Sequence, residues 1–227
     1  MATVGQSEAR EAIMQSIRAH LAESARVARP HSPPPVSANS INDSSTDPAL
    51  TPVAMFCERL ESVGGRCVVV RDSHDAARAL ANVVAALQEN GSGKRIALSD
   101  ARVLPGLTQS IPAAEITVGP PASDLFNYDV GITTAQAGIA ETGTLVLEAE
   151  KERHRLVSLL PPVHIALIRS RDIHLTIGDA LEGLHDREQM SRAITFITGP
   201  SRTADIELTL TVGVHGPKEL YVIVQED

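Results

Sequence analysis

Residues 133–144 read Thr133-Thr134-Ala135-Gln136-Ala137-Gly138-Ile139-Ala140-Glu141-Thr142-Gly143-Thr144, and they concentrate groups able to do chemistry. Four hydroxyls, one amide and a single carboxylate lie between two apolar runs, with glycine at 138 and 143. Threonine supplies short donors and acceptors, and glycine lets a backbone come close to a ligand. The set suits a small, oxygen-rich ligand. Glu141 is the candidate catalytic residue, as base or nucleophile. Thr134, Gln136, Thr142, Gly143 and Thr144 are the candidate binding groups. A polar β-bend with Glu141 in solvent would use the same residue types.

A second cluster runs from Thr198 through Gly199-Pro200-Ser201-Arg202-Thr203-Ala204-Asp205-Ile206 to Glu207. It reads as a strand entering a Gly-Pro turn, with Ser201 or Thr203 capping a helix over 203–211. Amide groups at a helix start bind anions, so Gly199 and Ser201, assisted by Arg202, could hold a carboxylate. Asp205 and Glu207 would sit in the first turn, where the helix dipole favours acids. An ordinary capped helix explains most of this. The third cluster is Gly213-Val214-His215-Gly216-Pro217. It frames His215 with glycines in a loop, and loops carry function more often than the elements they join. In an open parallel sheet, ligands bind outside the carboxyl ends of the strands, so the three clusters are expected to converge on one crevice there.

Other motifs fail. Gly91-Ser92-Gly93-Lys94 resembles part of a phosphate-binding loop, but Arg95 stands where Ser or Thr should be and the stretch precedes a strand. There is no H-E-x-x-H, and Gly199–Thr203 lacks the second glycine of a nucleophile elbow. His164 lies inside a strand, either orienting a ligand or hydrogen-bonded in the core. The remaining histidines show no metal-ligand spacing, so no metal site is expected. Lys151, Arg153 and Arg155 interleave with Glu150 and Glu152, which reads as a solvated face. Cys57 and Cys67 sit in apolar runs and read as small buried hydrophobes; nothing in the sequence supports a disulfide between them.

The elements that must position these residues follow from periodicity. Residues 1–27 hold an amphipathic helical arm, with Ile13, Ile17 and Leu21 in one apolar stripe. Residues 28–50, rich in Pro, Ser and Asn, form a linker that cannot bury a core. Residues 51–227 form the main domain. Thr51-Pro52 starts a helix and Gly64-Gly65 stops it. Short β-branched strands then alternate with helices, which predicts an α/β class with an open, largely parallel sheet. The arm offers a surface for self-association.

Composition narrows the function. The chain has 227 residues, 43% of them hydrophobic, enough for one sizeable core. It carries 28 acidic and 20 basic side chains, three Phe, two Tyr and no Trp. A net charge of −8 with so few aromatic faces suits no nucleic acid. Two cysteines cannot ligate an iron–sulfur cluster alone. No continuous apolar stretch is long enough for a membrane span, and the first residues lack a signal-peptide pattern, so a cytoplasmic protein is expected.

Taken in order, Ile139–Thr144, Pro161-Pro162-Val163-His164, Thr198–Glu207 and Gly213–Pro217 resemble the lactate utilization protein C family over about residues 51–226. This family has a domain in common with lactate utilization protein B. The resemblance implies a fold similar to the sugar-phosphate isomerase and coenzyme A transferase class. It implies a role in bacterial oxidation of L-lactate to pyruvate, beside partners that carry the iron–sulfur clusters. This chain would bind no cofactor itself, and would hold a small carboxylate or support assembly. A competing reading is a free-standing acyl or sugar-phosphate enzyme with Glu141 as nucleophile or base.

Overall fold

The computed structural model describes residues 11, 14–16, 18, 19, 51–100, 102–111, 114–152, 155–185, 191–204, 210–212 and 216–226. The chain divides into two units, Met1–Pro48 and Ala49–Asp227. In the first unit the described residues are helical and exposed.

In the second unit Thr51 caps α1 (Pro52–Ser62), its hydroxyl accepting from the Ala54 amide at 3.2 Å. Gly64, with φ +91°, ends that helix in the left-handed region glycine favours. Strand β1 (Arg66–Val70) leads to α2 (Ser73–Glu89). The α2 cap is Asp72, one residue before the serine that sequence suggests, because its carboxylate accepts from the Asp75 amide at 2.8 Å. Next come β2 (Arg95–Leu98), the single turn α3 (Leu104–Leu107), β3 (Glu115–Val118), β4 (Val130–Thr134), β5 (Ala137–Ile139) and β6 (Thr144–Glu148). The chain continues through α4 (Ala149–Glu152), β7 (Val163–Arg169), β8 (Ile173–His174) and α5 (Ile177–His185). It ends with β9 (Ile194–Ile197), β10 (Arg202–Ala204), β11 (Leu210–Val212) and β12 (Glu219–Gln225).

Six strands form one all-parallel sheet in the order β1-β12-β7-β4-β2-β3. The predicted α/β class with a largely parallel sheet is the observed one. One face packs on α2 through Leu80, Val84, Ile96, Ile132 and Ile165. The other face packs on α1 and a smaller mixed sheet, β8-β5-β6-β9, through Phe56, Leu60, Leu145, Leu147 and Val222. The far side of the small sheet buries Ala137, Ile139 and Val146 against Ala180 and Leu184 of α5. No helix among the described residues is long and apolar enough to cross a membrane.

Three expectations need correction, and one feature of the strands stands beside them. Gly138 lies inside β5, and the chain changes sheets just before it. The Ala135 amide still bonds Leu167 of the large sheet, while the Gln136 amide already bonds Val146 of the small one. The described residues at both ends of the helix expected over 203–211 are strands, β10 and β11, which pair antiparallel. Ile206, Leu208, Leu210 and Val212 alternate with polar residues, the period of a strand. Glu152 is not on a solvated face but 1% exposed. Cys57 and Cys67, each half-buried, are joined by a disulfide with Cα atoms 5.4 Å apart, linking α1 to β1.

Candidate functional site

Strand β2 continues outward to β3, whereas its neighbour β4 continues the opposite way to β7. Adjacent parallel strands whose continuations diverge leave a crevice at their carboxyl ends, where ligands bind in open α/β sheets. Ser99 follows β2 and Thr134 ends β4, and both reach one carboxylate, that of Glu152. Its Oε2 accepts from the Ser99 hydroxyl and from the Thr134 amide at 3.1 Å. Its Oε1 accepts from the Thr134 hydroxyl and from Gln136 Nε2 at 2.8 Å. A buried carboxylate is expensive unless several donors replace its water. Here four donors do so. The Gln136 carbonyl in turn accepts from the Glu148 amide at 2.6 Å.

Beside this network lies a cleft of about 860 Å³. Its floor is the carboxyl end of the large sheet, where Thr134 pairs with Leu167 and Arg169 with Gln225. Ser73, His74 and Ala77 of α2 form one wall; Val103, Leu107 and Ser110 from the segment after β2 form another. Arg169 is exposed, and among the described residues its guanidinium makes no ion pair or side-chain hydrogen bond.

The residues singled out from sequence fall into two groups. Thr134 and Gln136 belong to the Glu152 network, and Thr134 also lines the cleft. Most of the others gather around the end of α1. Gly143, with φ +65°, packs so closely on the Arg59–Leu60 backbone that a Cβ would overlap it. Gly199, with φ +88°, packs on Val63. Thr142, Thr144 and Thr198 form a hydroxyl chain with 2.7 Å links. The Arg202 guanidinium donates to the Val63 carbonyl at 2.6 Å, capping the helix end. The Ser201 amide donates to Pro217 at 2.8 Å, and Gly216 lies against the Ser201 side chain. Because residues 202–204 form β10, Gly199 and Ser201 lead into a strand and not into the helix start expected there. Asp205 and His215 lie outside the described residues.

Glu141 is exposed and does not line the cleft. Its carboxylate accepts from the Ile177 amide at 2.8 Å, at the first residue of α5. His164 is buried, its Nε2 2.9 Å from the Thr133 hydroxyl and its Nδ1 without a partner. Burial lowers its pKa to about 3. Near the cleft, Asp72, His74 and Asp75 bring three potential ligand atoms within 4.8 Å. Two have other tasks: Asp72 caps α2, its pKa held low by the Asp75 amide, and Asp75 pairs with Arg78 at 2.7 Å.

A family model for the LUD domain matches residues 53–224. The chain belongs to the LUD domain family. An uncharacterized protein of Neisseria meningitidis serogroup B is 39% identical over 137 residues, covering 60% of this chain and 56% of that one. Lactate utilization protein C of Macrococcus caseolyticus is 34% identical over 160 residues, 62% of this chain and 65% of its own length. Its namesake in Deinococcus radiodurans is 37% identical over 124 residues, covering 50% and 58%. The matched part of this LUD domain chain thus spans between half and two thirds of those relatives. The crystal structure of a DUF162 family protein from Deinococcus radiodurans shares the fold, with a TM-score of 0.60 and 22% identity, covering 78% of this chain and 99% of that one.

Proposed function

We propose that this LUD domain chain is a component of a bacterial L-lactate utilization system, whose own share is to hold an organic carboxylate in the cleft at the carboxyl ends of β4, β7 and β12. The recurrence of lactate utilization protein C among its relatives supports the role. The observation that carries the binding share is Arg169, an exposed cation opposite Gln225 on the cleft floor that has no ion-pair partner among the described residues. A guanidinium recognises a carboxylate through paired N–H donors.

The redox chemistry of lactate oxidation is assigned to partner proteins with iron–sulfur clusters. Support for this lies in the cysteines: the chain has two, and they are bonded to each other. Glu141 has no part in the reading, since its carboxylate caps α5. Deleting the gene tests the role. The deleted strain should fail to grow on L-lactate as sole carbon source, grow normally on pyruvate, and recover with the wild-type gene. Undiminished growth on L-lactate after deletion would overturn it.

A further inference from the structure

The cleft is large for the ligand its family suggests. Pockets that enclose drug-sized ligands run from roughly 300 to 1,000 Å³, and this one, at about 860 Å³, lies in the upper part of that range. A three-carbon hydroxy acid would occupy a small corner of it. The lining is also uneven. Arg169 and Gln225 lie side by side at the ends of β7 and β12. Leu167 lies two residues deeper on β7, about 7 Å toward the sheet centre at the usual strand rise. Ala77, Val103 and Leu107 complete an apolar section with it. Val103 is 52% exposed, a large apolar side chain left in contact with water beside the cleft.

We infer that the cleft takes an organic anion of cofactor size with an apolar body, its charged end on Arg169 and its body along Leu167, Ala77, Val103 and Leu107. This rests on the reading that the cleft binds an organic carboxylate, and it replaces lactate itself by a larger member of that class. The lining carries one guanidinium, Arg169, and one carboxylate, Asp172, and the anionic end is assigned to the Arg169 and Gln225 end of the floor. A guanidinium favours an anionic group, and the apolar section gains nothing from a ligand that ends within a few atoms of it.

Calorimetric titration of the full chain with L-lactate, 2-naphthylacetate and the uncharged 2-naphthylacetamide separates the terms. Naphthylacetate should bind one-to-one and at least about tenfold more tightly than L-lactate, because the ring buries apolar area. The amide should lose about tenfold against the acid, and Arg169→Gln should abolish that difference. Ala77→Phe, a change on a half-buried helix position, should fill the apolar section and erase the gain from the ring. L-lactate binding as tightly as naphthylacetate would overturn the large-ligand inference while leaving the carboxylate reading standing. Naphthylacetate binding that ignores both variants, or no binding of any of the three, would overturn the inference and the cleft's binding share together. The growth test of the lactate role is independent of each result.

Discussion

Thr134 meets the Glu152 carboxylate twice, its amide donating to one oxygen at 3.1 Å and its hydroxyl to the other. The pairing lies just before the point where the chain passes from one sheet to the next, since the Ala135 amide bonds β7 and the Gln136 amide bonds β6. One buried carboxylate therefore holds the junction of two sheets, the end of β2 through Ser99, and the floor of the cleft.

Replacing that carboxylate should be costly. Glu152→Gln puts an amide N–H₂ among groups that are themselves donors, leaving at least one buried donor unmatched. Urea unfolding should show a loss of about 2–4 kcal/mol, against about 1 kcal/mol for Ser99→Ala, which removes a single bond. A Glu152→Gln protein as stable as wild type would show that the carboxylate is not the keystone of the junction.

Gly131, in the middle of β4, faces the Val157 carbonyl oxygen so closely that a Cβ would overlap it. The obstacle is backbone, which cannot rotate away as a side chain would. Gly131→Ala should therefore cost about 3 kcal/mol or more, read as a lowered urea midpoint with unchanged slope. A loss below about 1 kcal/mol would mean that the turn over residues 155–158 moves freely.

How much of this was legible depends on the range of the interactions. Local signals served well: Thr51-Pro52 starts α1, Gly64 ends it, and the β-branched runs are the parallel strands. In the sequence, the rule that ligands bind at strand carboxyl ends falls on residues 199–203, which lead into β10. Applied instead to the polar residues that end or follow apolar strands, it picks out Ser99, Thr134, Arg169 and Gln225. Glu152 was hidden because Glu148-Ala149-Glu150-Lys151-Glu152 has the composition of a solvated turn. Its burial comes from donors distant in sequence, Ser99 among them, which only the fold assembles. Glycine in these stretches permits close backbone approach, but to the chain itself. At Gly143 the neighbour is the Arg59–Leu60 backbone of α1.

Glu141 supplies a prediction that separates capping from catalysis. Thr176 and Asp179 already bond reciprocally across the start of α5, and Glu141 adds an acceptor for the Ile177 amide. Glutamine retains that acceptor, so Glu141→Gln should change stability by less than about 0.5 kcal/mol and preserve growth on L-lactate. Glu141→Ala removes it and should cost about 1 kcal/mol. Loss of growth in a Glu141→Gln protein that folds normally would return Glu141 to a chemical role.

His164 gives the last prediction, in pH. Its folded pKa is lowered by burial from 6.5 to about 3, and its ring bonds the Thr133 hydroxyl while Nδ1 has no partner. A base with a depressed folded pKa is protonated first in the unfolded chain. Between the two values the unfolded state thus binds the extra proton, and stability falls as pH falls. The contribution of neutral His164 is complete above pH 6.5 and is lost progressively toward about pH 3. The limiting slope is about 1.4 kcal/mol per pH unit. His164→Gln keeps a polar group for Thr133 but cannot titrate. Urea unfolding at about pH 7 and about pH 5 should therefore show wild type losing about 2 kcal/mol more than the variant. Carboxylates such as Asp72 and Glu150, whose pKa values are lowered in the fold, titrate in both proteins and cancel in that difference. Parallel pH profiles for the two proteins would mean that His164 accepts its proton in the folded state, through a rearrangement that brings water or a new acceptor to Nδ1.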